Sequence, residues 1–553
     1  MVLASALRAG LARDAASVAS RRAAAAAVGG VRRLGAAAVQ EEAAPLYPDA
    51  VLTAPETQQA KLGNGVRVAT EAGGGPVAAL TVSVDLGSRY ESPENNGVCS
   101  VIGASAFTGS EPAIAAMGGH FTQTVDREVM TYSATVAEAD VPKAMAVLAD
   151  AVKATNLSAE SLQAAKGAVL DDIEAARRDP RLGLMDHLHD AAFLDTAMGM
   201  SPLGTAESVS ALGLDGAKNF YGRGLAGSRV VVAGAGAVKQ GSLTDMAQTL
   251  LGDVAASSSS AVDEAVEPAY FLGSDKRMRY DSMPNAHVAF AFKAPPAGSK
   301  HSISLMMVQA LLGFEYKERT VLGVNAASKW AQEIAELNLA AVATPFYKGY
   351  KDAGLLGVSC IASDNHLDDF MWYTLHNLLH IVHKVTDAEV DAAKTLLKNH
   401  IYQQNSGCGD AAGIIAGDVR QFGRRVPYAE MVARIDAITT KEIKASADEI
   451  INDQDHALAA VGPIHELPDY NWIRRRSFWL RQASHSSSPP ISKPSKHVYL
   501  CPPLISKPLA KELLAWCLPR FAAVWFSVFS RTHPRMCVVL LRRVAMKLCQ
   551  GAL

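Results

Sequence analysis

The chain has 553 residues, 49% of them hydrophobic and 20% charged, which predicts a globular protein with at least two cores. Seven cysteines are present, and only Cys99, Cys360 and Cys408 lie between residues 41 and 481, so the sequence indicates neither a disulfide framework nor a zinc site built on thiolates. The net charge of -2 combines a basic head and tail with an acidic body, and no nucleic-acid partner is expected.

Residues 1–40 carry six arginines and a single acid, Asp14, among many alanines and serines. This segment lacks the long apolar block of a secretory signal and is typical of a mitochondrial transit peptide. The alternative is a disordered, alanine-rich extension. We expect cleavage between Arg33 and Val39 and a reducing matrix location, and we exclude the segment from the fold prediction.

Residues 58–252 mix strand and helix patterns and form the first predicted half. Apolar and β-branched runs predict strands at 65–72, 77–88, 120–126, 129–137 and 228–238. A helix-compatible run covers 97–117, and apolar residues three or four apart predict helices at 139–154, 158–179 and 240–251. GAGAVKQG at 234–241 follows a strand, but its third glycine is displaced from a dinucleotide-binding pattern, so nucleotide binding is not predicted.

A polar, serine-rich segment at 253–270 predicts a linker. The second half, 271–481, runs in a similar order, with strands at 285–295, 354–363 and 457–464 and helices at 302–313, 367–384 and 387–404. Two successive halves of similar size and element order indicate an internal structural repeat.

Residues 482–553 begin with a Ser/Pro-rich stretch and carry ten lysines and arginines against one acid, Glu512. An apolar run at 513–530 approaches the length of a transmembrane helix. However, Pro519 and Arg520 lie in its middle, and a charge at the bilayer centre costs about 2.5–3.5 kcal/mol on insertion scales. We therefore prefer an irregular extension or a mis-joined gene model to a membrane anchor.

Several segments of the body carry a family likeness. GSRYESPENNGV (87–98), AMGGHFTQTVDREVMTYSATV (116–136) and ADVPKAMAVLADAV (139–152) resemble the pitrilysin/insulinase-type peptidases. YKGYKDAGLLGV (347–358), DVRQFGRRVPYAEMVARIDAIT (418–439) and AAVGPIHELPDYNWIR (459–474) resemble its mitochondrial processing peptidase and complex III core-subunit group. The likeness covers residues 58–481. It implies an α+β fold of two homologous halves, each a mostly antiparallel sheet with helices packed on it, enclosing a cavity.

Active members of this family bind zinc through an inverted H-x-x-E-H helix. Two histidines four residues apart lie on one helical face and supply nitrogen ligands, and the glutamate acts as general base on the metal-bound water. The resemblance places Ser100 and Ala104 at the histidine positions and Gly103 at the glutamate position. On a later helix it places the expected glutamate ligand at Asp172 and a second family glutamate at Ala165.

One carboxylate cannot hold zinc, because a catalytic site needs about three protein ligands. We therefore expect no catalytic residue, no metal ligand and no zinc, and we interpret the chain as a degenerate peptidase. Asp171, Asp172 and Glu174 are either an acidic lining of the former cleft, able to hold an arginine-rich presequence, or a solvated or internally paired helix face. The second interpretation is preferred.

Two histidine groups offer further metal candidates. His376, His380 and His383 lie at positions i, i+4 and i+7 of one predicted helix, a spacing that zinc can use, but histidines among leucines are more often packed or half-exposed. His187 and His189 lie two residues apart and would not share a helical face. We interpret both groups as structural.

Three functions are compatible with the resemblance. The preferred one is a non-catalytic core subunit of ubiquinol–cytochrome c reductase, on the matrix face of the inner membrane, with a second core subunit and cytochromes b and c1 as partners. The alternative is the non-catalytic partner in a processing-peptidase heterodimer, binding basic presequences, which the net charge of -16 over residues 41–481 favours. The third, an active peptidase with an unorthodox site, is opposed by the missing ligands.

A glycine-rich loop early in the second half would mark the α-type partner of that heterodimer. The corresponding stretch at 311–336 is not glycine-rich. This absence favours the core-subunit interpretation.

Overall fold

The computed structural model of the protein describes residues 55–256, 267–317 and 328–484, and the side chains up to residue 477. The predicted transit peptide, the centre of the predicted linker and the predicted tail beyond residue 484 lie outside these ranges. The apolar run at 513–530 also lies outside them.

The described residues form two six-stranded sheets. The first contains β1 (Thr57–Lys61), β2 (Arg67–Ala72), β3 (Val77–Val84), β4 (His120–Val125), β5 (Met130–Ala137) and β6 (Val230–Gly236). The second contains β7 (Asp275–Arg279), β8 (Ala286–Ala294), β9 (Tyr316–Lys317), β10 (Val342–Gly349), β11 (Gly354–Ala362) and β12 (His456–Gly462).

The two sheets share a topology. The strand orders are β1-β2-β6-β3-β5-β4 and β7-β12-β8-β11-β10-β9. Strands β2 and β6 are parallel, as are β7 and β12, and all other neighbouring pairs are antiparallel. Five consecutive strands therefore match between the sheets, with the parallel pair at the same end. The predicted α+β fold with two mostly antiparallel sheets is confirmed, and the matching order supports an internal repeat.

Helices connect and cover these strands. In the first half they are α1 (Val98–Ser105), α2 (Glu111–Met117), α3 (Val141–Lys153), α4 (Ala159–Arg178), α5 (Pro180–Ala192), α6 (Ala206–Ala211), α7 (Leu214–Gly224) and α8 (Gln240–Leu251). In the second half they are α9 (Ser302–Leu312), α10 (Lys329–Leu337), α11 (Leu367–His383), α12 (Asp387–Gln404), α13 (Cys408–Phe422), α14 (Tyr428–Ala437), α15 (Thr440–Ile451) and α16 (Tyr470–Ser484). Within the described ranges, none of these helices combines the length and apolar character needed to cross a bilayer.

The run predicted as one helix over 97–117 is two helices, α1 and α2. Between them, Gly109 adopts the left-handed region with a φ of 83°. Pro112 lies in the first turn of α2, where its missing N–H leaves no helical hydrogen bond unmade. The apolar pattern continues through this break, so periodicity alone does not reveal it.

Each sheet is covered by helices of its own half on one face and by one helix of the other half on the opposite face. Helices α1, α3 and α8 contact the first sheet, and α9 and α15 contact the second. The opposite face of the first sheet packs against α13, and that of the second packs against α5. Alanines on these sheet faces give the crossing helices room to approach: Ala69, Ala79, Ala233, Ala235, Ala289, Ala291, Ala457 and Ala459.

Candidate functional site

Helix α1 is anchored at its N-terminus by a buried carboxylate. Glu91 is 5% exposed and accepts hydrogen bonds from the backbone N–H groups of Gly97 and Cys99, both at 2.8 Å, and from the Asn96 amide at 2.9 Å. Burial raises the pKa of Glu91, and these hydrogen bonds oppose the rise. A carboxylate placed at helix N–H groups stabilises the helix start, because it interacts favourably with the helix dipole.

A glycine is required where α1 begins. Gly97 has a φ of 94°, and a Cβ there would lie 2.7 Å from the Leu203 carbonyl oxygen. A side chain at this position would therefore be strained and would clash with backbone.

The three α1 positions assigned by the resemblance are packed. Ser100 is 7% exposed, and its Oγ donates a hydrogen bond to the Pro202 carbonyl oxygen at 2.6 Å. Gly103 is buried, and Ala104 is partly buried against the core of the first half. These positions thus offer one hydroxyl, already used, and no base.

The space beside Gly103 is occupied by strand β4. A Cβ built on Gly103 would lie 2.8 Å from Gln123 Oε1 and 2.8 Å from Val125 Cγ2, closer than such atoms approach in proteins. Sequence reasoning located Gly103 but missed both neighbours, because they belong to a strand about twenty residues away. Ser100, Gly103 and Ala104 also offer no nitrogen or carboxylate ligand, so the residues present on α1 do not fit a zinc ion.

Helix α4 carries the other assigned positions. It packs on α1, and Ala165, 4% exposed, lies in the core of the first half. Asp171 and Asp172 are exposed. Glu174 is exposed too and accepts a hydrogen bond from Arg178 Nε at 3.1 Å, one helical turn away. In the part of the chain that the structure describes, no three His, Cys, Asp or Glu side chains are grouped so that they could hold a metal ion.

His189, His376 and His380 each contact a neighbouring protein group. Buried His189 lies with Nδ1 2.6 Å from the Met185 carbonyl oxygen and Nε2 2.6 Å from the Tyr350 hydroxyl, so Nδ1 donates and Nε2 accepts. Burial lowers the pKa of His189 well below its ordinary value. His376 stacks on the Trp372 ring, and His380 Nε2 lies 3.1 Å from Glu389 Oε1.

A buried arginine joins the two halves, which the sequence analysis did not predict. Arg89 is 5% exposed, and its Nη1 donates hydrogen bonds to Glu128 Oε1 and to Asp352 Oδ1, each at 2.7 Å. The Lys351 backbone N–H donates to Glu128 Oε1 at 3.1 Å, and its Nζ donates to Asp85 Oδ2 at 2.7 Å. GSRYE and YKDAG, separated by about 260 residues, therefore meet directly.

Between the halves lies a cavity of about 720 Å³. The first half lines it with His120, Thr122, Ser133 and Thr135. The second half lines it with Gln404, at the end of α12, and with residues of α13, including Asp410. Residues of both halves therefore line one cavity. Its lining contains one carboxylate, and Asp171, Asp172 and Glu174 are not part of it.

Comparison with known proteins finds relatives that cover most of the chain. The model of the insulinase family (peptidase family M16) matches residues 67–206, and that of the peptidase M16 inactive domain matches residues 212–397. A probable mitochondrial-processing peptidase subunit beta of Arabidopsis thaliana is 33% identical over 441 residues, covering 78% of this chain and 83% of the relative. The bovine cytochrome b-c1 complex subunit 1 is 30% identical over 443 residues, covering 79% and 92%.

The fold also occurs among solved structures. A chain of complex III2 from Candida albicans superposes with a TM-score of 0.70 at 25% sequence identity. The match covers 76% of this chain and 99% of that one.

Proposed function

This chain belongs to the insulinase family of M16 peptidases, and we propose that it is a non-catalytic core subunit of a mitochondrial complex III, the ubiquinol–cytochrome c reductase. The observation that carries the proposal is the filled space beside Gly103 on α1, where the Cβ that a general base would need would lie 2.8 Å from Gln123 Oε1 and from Val125 Cγ2. The similarity to cytochrome b-c1 complex subunit 1 and to a complex III chain supports the choice of complex.

Peptide hydrolysis by this family's chemistry requires a metal-activated water and a base that removes its proton. Gly103 has no side chain that could act as the base, and Ala104 supplies no metal ligand. The Ser100 hydroxyl donates its hydrogen bond to a backbone carbonyl. We therefore expect the purified chain to hold no zinc and to cleave no presequence.

A scaffold needs a fixed shape, and the contacts between the halves support such a role. Helices α5 and α13 each pack on a face of the other half's sheet. Arg89 and His189 add buried polar contacts between the two halves. Relative motion of the halves would break these contacts together. The proposed partners are a second core subunit and cytochromes b and c1, at the matrix face of the inner membrane.

A second candidate is the non-catalytic member of a processing-peptidase heterodimer that binds basic presequences. Relatives named mitochondrial-processing peptidase subunit beta favour it, including the human protein at 31% identity over 439 residues. The single carboxylate lining the cavity between the halves counts against strong attraction of arginine-rich peptides within it.

Native-gel separation of gently solubilised mitochondria tests the two candidates. The chain is located by mass spectrometry and compared with the haem signal of cytochromes b and c1. Co-migration with haem supports the core-subunit proposal. Migration as a smaller haem-free pair contradicts it, and presequence binding by that pair, measured by peptide titration, would establish the second candidate.

A further inference from the structure

A cavity of about 410 Å³ lies beside the first two turns of α16. It is lined by Asp469, Asn471, Trp472, Arg475 and Arg476. It is separate from α1 and from the cavity between the halves, and none of the functions considered above uses it.

Of the three consecutive arginines on α16, Arg474 is paired with carboxylates, whereas Arg475 and Arg476 are not. Arg474 Nη1 donates to Asp453 Oδ1 at 2.6 Å, and its Nε donates to Asp455 Oδ1 at 2.9 Å. Among the described residues, Arg475 and Arg476 form no ion pair with a carboxylate. Two positive charges therefore border the cavity without a matching acid.

Arg476 is held in place by aromatic rings. Its guanidinium carbon lies 5.0 Å from the centroid of the Trp472 ring and 5.7 Å from that of Trp372. Its Nε is buried and has no hydrogen-bond partner among the described residues. Cation–π contacts orient a guanidinium but leave its charge and its N–H donors available for an anion.

The one acid in the lining is already used. The Asp469 carboxylate accepts a hydrogen bond from the Trp472 backbone N–H at 2.6 Å, which caps the start of α16. It therefore serves the helix start and forms no ion pair with either arginine.

We propose that this cavity binds a phosphate group, supplied by the headgroup of an anionic phospholipid. Guanidinium groups suit phosphate because their planar N–H donors match its oxygens. The half-buried rings of Trp372 and Trp472 favour the lipid source, because indole groups partition to the interface between headgroups and acyl chains. This site is independent of the proposed function, since it involves neither α1 nor a partner subunit.

Isothermal titration of the purified full-length chain tests the proposal with three soluble probes. They are dihexanoyl phosphatidylglycerol below its micelle concentration, dihexanoyl phosphatidylcholine and inorganic phosphate. We expect the phosphatidylglycerol to bind most tightly. Arg475→Gln and Arg476→Gln should each weaken its binding about tenfold or more, because each removes a charge-assisted hydrogen bond to the phosphate.

A matched control separates the site from net charge. Lys441→Gln combined with Lys444→Gln removes two positive charges from α15 and should leave phosphatidylglycerol binding unchanged. Tighter binding of inorganic phosphate than of phosphatidylglycerol, abolished by the arginine variants, would reject the lipid source. Equal binding by all variants, equal binding of the two lipids, or no binding of any probe would overturn the proposal.

Discussion

Gly103, which the resemblance places at the general-base position, allows a direct test of whether the space beside it is closed by packing. Gly103→Ala adds one methyl group to a buried helix position whose Cβ would lie 2.8 Å from both Gln123 Oε1 and Val125 Cγ2. The amide end of Gln123 can rotate away, whereas Val125 is β-branched and stiff at χ1. Val125 should therefore determine the cost of the substitution.

The magnitude follows from two opposing effects. Adding a methylene to a well-packed core costs about 1–3 kcal/mol. Replacing glycine by alanine inside a helix contributes about 1 kcal/mol of stability. Gly103→Ala should therefore lower the free energy of unfolding by up to about 2 kcal/mol. Gly167→Ala, in α4 with no atom within 4 Å of its Cβ position, should raise it by up to about 1 kcal/mol.

Urea unfolding of the two variants, followed by circular dichroism, measures this difference. Adding Val125→Ala to Gly103→Ala should relieve the clash, so the two substitutions should couple favourably by about 1–2 kcal/mol in a double-mutant cycle. If Gly103→Ala stabilises the protein as much as Gly167→Ala does, the space beside Gly103 is open. The reasoning about a closed site would then be wrong.

Three further predictions follow from individual contacts. The triple substitution Ser100→His, Gly103→Glu and Ala104→His should not create zinc binding, measured by metal analysis after dialysis. Zinc binding should require that Gln123 and Val125 are also changed to alanine. Stoichiometric zinc in the triple variant alone would contradict this expectation. His456 is buried against the Tyr470 ring, and burial lowers its pKa from 6.5 to about 4. Because His456 takes up a proton more readily in the unfolded chain, the free energy of unfolding should fall by about 3 kcal/mol as pH falls from 6.5 to 4. The urea midpoint of His456→Phe should change less with pH over this range than that of the unmodified protein. Arg89→Gln should lower the free energy of unfolding by about 3 kcal/mol or more, because it leaves Glu128 buried without its ion pair. Arg434→Gln, at an exposed ion pair, should lower it by less than about 1 kcal/mol. Equal urea midpoints of the two variants would refute the role of Arg89 in joining the halves.

The central strands and long helices were predictable because their patterns are local. Strands β3, β6, β8 and β12 are rich in alanine and valine, and every predicted helix except the run at 97–117 has a single counterpart in the structure. Strand β7, with the charged sequence DKRMR, has no apolar alternation. It forms by parallel pairing with β12, at the edge of the sheet. Such an edge strand depends on a partner about 180 residues away, so its own residues do not predict it.

The candidate site was predictable only in part, for the same reason. The α1 positions could be read from NNGV and the helix that follows, but Gln123 and Val125, which fill the space, could not. Arg89 is a second example: nothing near it in sequence indicates that Asp352 completes its ion pairs. A buried contact between distant segments has no periodicity, and it becomes visible only when both segments are placed.

The contacts made by GSRYESPENNGV give this segment a role in the fold that needs no metal. In GSRYESPENNGV, Arg89 ties the first half to Asp352, Glu91 caps α1, and Gly97 adopts a backbone conformation that a side chain would strain. Each of these interactions stabilises the fold whether or not a metal binds. The positions of Ser100, Gly103 and Ala104 need only small side chains that pack. Small residues at these positions therefore leave the interactions that hold the two halves together intact, which is what the proposed scaffold role requires.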